Sequence, residues 1–292
     1  MEKLIDEAFL QRLANLRFMT AGRQGGRLSG SHASPRAGVS IEFADYREYV
    51  PGDDFRYVDW NIYGRLGRLL VKTFVQEADL PINLVIDSSA SMQLGSPSKS
   101  RYAARLALAL GYLGLRSLDR VGLFPFSDRL LDSVPPRHGM RQLSRLLKVL
   151  TEIEPSGNTA FDHAVTELQS VRRENGLVIL IGDLLDAEGL ESGIGRLLHR
   201  GDEVVVIQVL DPEEVEPSGT GYTQIVDVES GRRVTMNLGR RSLAQYRQRF
   251  QAHQSRLSAF LLERRIPYFV APTDRRLEQL IFEDLRIGGI LR

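Results

Sequence analysis

"LVIDSSASM", residues 84–92, is an apolar run that stops at a carboxylate, Asp87, and then sets two hydroxyls at alternate positions, Ser89 and Ser91. A short apolar segment of this kind reads as a buried strand. The segment after it is either an ordinary capped turn or part of a binding site. The surroundings decide the fold. From Leu80 onward, strand-like runs ("INLVID", "RVGLFPF", "LVILIGD", "EVVVIQVL", "PYFVAP") alternate with helix-like ones: Ser100 to Leu118, Met140 to Glu152, Ala160 to Arg173, Ala187 to Arg200, Ser242 to Arg264 and Arg275 to Leu285. This alternation predicts an α/β fold: a doubly wound, Rossmann-like, mainly parallel sheet with helices on both faces. "YTQIVDVESGRRVTMNL" breaks the rhythm with alternating residues around Glu229-Ser230-Gly231, which predicts an inserted β-hairpin near 222–238.

In such a sheet, ligands bind beyond the carboxyl ends of the strands. The groups expected there are Asp87, Ser89 and Ser91 after the first strand, Asp183 and Asp186 in "GDLLD" after "LVILI", and Thr159 in "PSGNTAFD". Each alone reads as a helix cap, Thr159 ahead of "AFDHAV" above all. Together, Asp87, Ser89, Ser91, Thr159 and Asp183 supply two carboxylates and three hydroxyls from three loops. That set suits a hard divalent cation, since Mg²⁺ takes oxygen ligands, keeps several waters and uses only one or two carboxylates. With few anionic ligands the ion stays electrophilic and favours an outside carboxylate, which describes a protein-docking site better than a hydrolytic centre.

Composition sets limits. The chain has 292 residues with a formal net charge of +1, which argues against a surface built to coat nucleic acid or membrane. It has no cysteine, which excludes disulfides, thiolate zinc sites and cysteine nucleophiles. Its five histidines lie nowhere three or four residues apart, so a histidine metal cluster is not expected. Acids at Glu2, Asp6 and Glu7 interrupt the N-terminus, so no secretion signal is read there. "LALALGYLGL", flanked by Arg105 and Arg116, falls short of the roughly 20 residues a membrane span needs and reads as a buried helix. No phosphate loop and no Gly-x-Ser-x-Gly elbow appears, and Ser89 stands where an aspartyl-phosphate hydrolase needs a second aspartate. No catalytic residue is assigned, and the chain is not expected to be an enzyme.

"DSSAS" resembles the Asp-x-Ser-x-Ser signature of von Willebrand factor A domains, and Thr159 and Asp183 match the remaining parts of their metal-ion-dependent adhesion site. The resemblance implies that Asp87, Ser89, Ser91, Thr159 and Asp183 hold Mg²⁺ or Mn²⁺. "GDLLD" departs from the usual "DG", which leaves Asp186 to substitute, to help or to do nothing. The longer stretch "GVSIEFADYREYVPGDDFRYVDWNIYGRLGRLLVKTFVQEADLPINLVIDSSASM", with "DVESGRR" and "IPYFVAPTD", is similar to the bacterial family called domain of unknown function 58, from about Gly38 almost to the end. That resemblance implies a partner role: members are commonly paired with MoxR-type AAA+ ATPases as adaptors in maturation or assembly of a client protein.

The resulting expectation is a non-enzymatic, metal-dependent protein-binding module. It is cytoplasmic, or peripheral to a membrane through its partners, with no nucleic-acid partner and no integral membrane segment. A structural interaction protein with a vestigial metal site is the alternative, and a metal-assisted hydrolase the third reading. Residues 1–79 are expected to form a helix, a Gly-rich loop and an arm packed on the von Willebrand factor A-like domain of 80–292. In the arm, Asp53, Asp54, Arg56 and Asp59 read as a structural clasp over a buried Trp60, or else as a docking surface or acidic ligand set. The basic loop with Arg23, Arg27, His32 and Arg36 has no aromatic residue between Thr20 and Ser40, so base stacking is unsupported.

Overall fold

The computed structural model describes residues 7–13, 16–19, 41–76, 80–218, 221–229 and 231–292; the basic loop around Arg23 to Arg36 lies outside them. The chain divides into two compact units, one of residues 19–79 and one of 1–18 with 80–292. The first described helix, α1 (Glu7–Leu13), therefore belongs with the sheet unit and not with the arm.

In the arm unit, β1 (Ile41–Glu48) and β2 (Leu70–Gln76) pair antiparallel, and α2 (Trp60–Leu66) lies between them in sequence. Charge-assisted hydrogen bonds hold the intervening turn. Arg47 forks onto Asp53 at 2.7 and 2.6 Å. Asp54 accepts from the Arg56 side chain and backbone. Asp59 caps α2 by accepting from Asn61 and Ile62 N–H while Tyr46 Oη–H donates to its other oxygen at 3.0 Å. The charge-assisted bonds form within the arm itself, and Trp60 is 57% exposed, not buried. It sits in the first turn of a helix that buries none of its residues, while the buried apolar residues described in this unit are Val58 and Val71.

The sheet unit holds β3 (Pro81–Asp87), α3 (Lys99–Arg116), β4 (Arg120–Phe126), β5 (Val134–Arg137), α4 (Arg141–Glu152), α5 (Phe161–Val171), β6 (Leu177–Gly182), α6 (Ala187–Arg200), β7 (Glu203–Leu210), α7 (Pro212–Val215), the hairpin β8 (Gly221–Val226) and β9 (Arg233–Leu238), α8 (Arg240–Glu263), β10 (Tyr268–Pro272) and a helical run over 277–287. Its six-stranded sheet has the order β10-β7-β6-β3-β4-β5, parallel except for β5. Winding starts at the centre with β3, runs out to β5, then returns to β6 and runs out the other way. The doubly wound α/β fold expected from the sequence is the fold observed, inserted hairpin included. The sequence reading missed β5: "VPPR" carries Pro135 and Pro136, a pair that suits an edge strand.

Strand periodicity of two builds two cores. Ile82, Leu84 and Ile86 of β3 face the cluster containing α3 and α1, with Leu106, Leu110, Leu113, Leu13 and Phe18. Val85, Val178 and Leu180 face the cluster of α5, α6 and α8, with Val165, Ile194 and Leu261. The apolar stretch of α3 is buried, as read, and no described helix is long and apolar enough to cross a membrane. Gly114 lets α3 approach closely, because a Cβ there would lie 2.7 Å from Ile82 and 2.8 Å from Val121 side-chain atoms. The segment after α1 meets the last residue: Arg17 and Arg292 exchange both backbone hydrogen bonds at 2.9 Å.

Candidate metal centre

The site lies where β3 and β6, the two halves of the double winding, are neighbours. Asp87 ends β3 and is 2% exposed. Its Oδ1 accepts from the Ser89 N–H at 2.8 Å, which folds the chain into a one-turn helix over Ala90–Gln93. Ser89 and Ser91 hydroxyls then meet at 2.9 Å. The loop ahead of α5 is laced to this turn, where Ala90 N–H donates to Gly157 O at 3.0 Å and Ser156 N–H to Ser88 O at 2.9 Å, and to the end of β4, where Ala160 N–H donates to Ser127 O at 2.9 Å. That brings the Thr159 loop alongside the serine turn. Asp183 follows β6 and is 1% exposed. Gly182 permits the close approach of β6, since a Cβ there would fall 2.7 Å from Asp87 Cβ.

None of the three hydroxyls works as a helix cap. Ser89 makes no side-chain capping bond, and α3 is capped instead by Ser98, which accepts from Arg101 N–H at 3.3 Å. The residue flanking α5 is Ala160, not Thr159. Asp186, whose role the sequence left open, is the cap of α6 and accepts from Gly189 N–H at 3.1 Å. Leu184, which stands where the usual "DG" has its glycine, takes a left-handed φ of +59°. His253 Nε2–H donates to its carbonyl at 3.0 Å and supports this strained turn.

The electrostatics are unbalanced at Asp87. Burial pushes its carboxyl up to about 7, and the charge of Asp183 pushes the same way; hydrogen bonds from Ser89 oppose them, and Glu229 adds to the rise. Asp183 is balanced by a group that the sequence reading missed. Lys99, fully buried, places Nζ 2.8 Å from Asp183 Oδ2 and bonds Glu214 as well. Burial pulls the Lys99 ammonium down, but these two carboxylates outweigh it and leave it raised. One signal was available: a lysine at the first position of a helix opposes the helix dipole and calls for a partner. The second missed residue is Glu229, in the β8–β9 turn. It accepts from Thr159 Oγ1–H at 3.0 Å and from Thr159 N–H at 3.3 Å.

Among the described residues, no three or more of His, Cys, Asp and Glu are grouped to hold a metal ion. A cation here would have only two carboxylates and hydroxyls to hold it. The donor set fits a hard divalent ion: oxygen atoms only, an undercompensated buried carboxylate at Asp87, and hydroxyls without capping work.

Residues 45–259 match the family described as Protein of unknown function DUF58. The chain belongs to this family. It is 28% identical over 233 residues to uncharacterized protein Rv1480 of Mycobacterium tuberculosis, covering 77% of this chain and 73% of the relative. It has the same identity and coverage against uncharacterized protein Mb1516 of Mycobacterium bovis. Among solved structures this DUF58 chain is similar to the conserved hypothetical protein BatB from Bacteroides thetaiotaomicron, at 19% identity and a TM-score of 0.47, over 72% of this chain and 98% of that one.

Proposed function

We propose that this DUF58 protein is a non-enzymatic protein-binding module that holds one Mg²⁺ or Mn²⁺ through Asp87, Ser89, Ser91, Thr159 and Asp183. The observation that carries the reading is the convergence of three loops, two of them strand ends, on a buried, undercompensated carboxylate with hydroxyls that cap nothing. When bound, the cation supplies an open coordination position for a carboxylate on a partner. Asp87 anchors the site, the serine turn orients its hydroxyls, and Lys99 fixes the Asp183 carboxylate in place. Ser89 bonds the Ser91 hydroxyl and lies against Asp87, so its side chain is held within the proposed ligand set.

By family resemblance, the partner is a MoxR-type AAA+ ATPase, with ATP turnover residing in that partner and a client protein remodelled by the pair. The test is capture of the purified MoxR-type ATPase encoded in the same genome by the immobilised chain. Capture that needs Mg²⁺, is abolished by chelator and is lost in Ser89→Ala/Ser91→Ala supports the reading. Equal capture with and without chelator refutes the metal requirement.

A second reading rests on Lys99. Its ammonium, 2.8 Å from Asp183, is a cation built into the site, as a structural interaction protein with a vestigial metal centre would have. Metal titration separates the two.

A further inference from the structure

The turn of a hairpin is ordinarily its most solvated part. In β8–β9 the order is reversed. Of the described side chains over 221–237, Glu229 alone is half-buried and the others are exposed, Tyr222 at 85%. Hydrogen bonds link the described residues of the turn. Asp227 Oδ1 accepts from Glu229 N–H at 3.0 Å, Asp227 N–H donates to Arg232 O at 2.8 Å, and Gly231 N–H donates to Asp227 O at 2.8 Å. It presents Glu229 in one orientation, with both carboxylate oxygens on Thr159. Thr159 is one of the five residues assigned to the metal centre, and Glu229 has the chemistry assigned there to the partner's contact group.

We propose that the β8–β9 hairpin is a tethered acidic plug: Glu229 holds, on Thr159, the place that a partner's carboxylate takes, so docking requires the hairpin to swing away. This rests on the binding-module reading above. A ligand carried on the same chain acts at an effective concentration of about millimolar or more, enough to hold off weak acidic contacts while yielding to a partner with a larger interface. The site thereby gains selectivity against isolated carboxylates.

The test uses the full chain, its Glu229→Ala variant and the Ser89→Ala/Ser91→Ala variant. Without metal, amide hydrogen exchange at Thr159 and across 222–238 rises about tenfold or more in Glu229→Ala while β3 and β6 stay protected. Unchanged exchange overturns the plug. With Mn²⁺, a capped Gly-Gly-Glu-Gly-Gly peptide binds Glu229→Ala about tenfold more tightly than wild type, as when a binding-competent fraction of about a tenth rises to near one. The glutamine version of the peptide binds neither. Equal peptide affinity overturns the proposal, and so does loss of Mn²⁺ binding in Glu229→Ala, which would make Glu229 a ligand instead of a competitor. If wild type and the double serine variant alike fail to bind Mn²⁺, the metal reading falls by itself, and the metal-free exchange result decides on the plug.

Discussion

Lys99 and Asp87 define the site by opposite means. Lys99 is a fully buried cation with two carboxylate partners, so removing it leaves buried charge uncompensated. Lys99→Met is expected to lower stability by about 3–5 kcal/mol in urea unfolding, the usual cost of breaking a buried pair, with part recovered on adding Mg²⁺. Asp87 has the reverse problem: its carboxyl stands at about 7 in the fold, against 3.8 as the ordinary value. The folded chain then binds the extra proton, so this group's contribution is fully present below about pH 4 and is lost as pH rises through about 7. In chelator-treated protein, the melting temperature of wild type should fall relative to that of Asp87→Asn over that window. Parallel curves would mean that Asp87 carries no such strain. These residue-level contacts were the least legible in the sequence, because Lys99 and Asp183 are 84 positions apart and Thr159 and Glu229 are 70 apart. No local pattern announces either pair.

At the scale of elements the sequence is far more informative. The runs beginning at Ile82, Arg120, Leu177 and Glu203 are apolar on both faces, as buried parallel strands must be, and they form together with the edge strand after Pro267. The exceptions have physical causes. Pro135 and Pro136 hide an edge strand, and Trp60 looks like a core residue by size yet stands in an arm held by Arg–Asp pairs. Glycines in α3 look unfavourable by propensity, but Gly114 is the point where the helix meets β3 and β4. Gly114→Ala should therefore destabilise by about 1–3 kcal/mol, as overpacking does, although alanine is the better helix former. Stabilisation in a thermal melt would contradict that packing.

For the whole molecule, the sheet unit is assembled from distant parts of the chain. Phe18 is fully buried in the same cluster as α3 and the 277–287 run, and its segment pairs with the chain's last residues. Phe18→Ala is expected to cost about 3–5 kcal/mol despite lying outside 80–292, whereas Trp60→Ala, at an exposed position, should cost within about 0.5 kcal/mol. Similar losses from the two would argue against the division of the chain into these units.

The most direct measurement is calorimetric titration of Mg²⁺ and Mn²⁺ into chelator-stripped chain beside Ser89→Ala/Ser91→Ala, a variant that spares the Lys99–Asp183 pair and hence the fold. A divalent site at Asp87 predicts saturable binding in wild type that is lost in the variant. Folded wild-type protein that takes up neither ion at millimolar concentration, or a variant that binds as wild type does, would contradict it and leave Lys99 as the cation of a purely structural site.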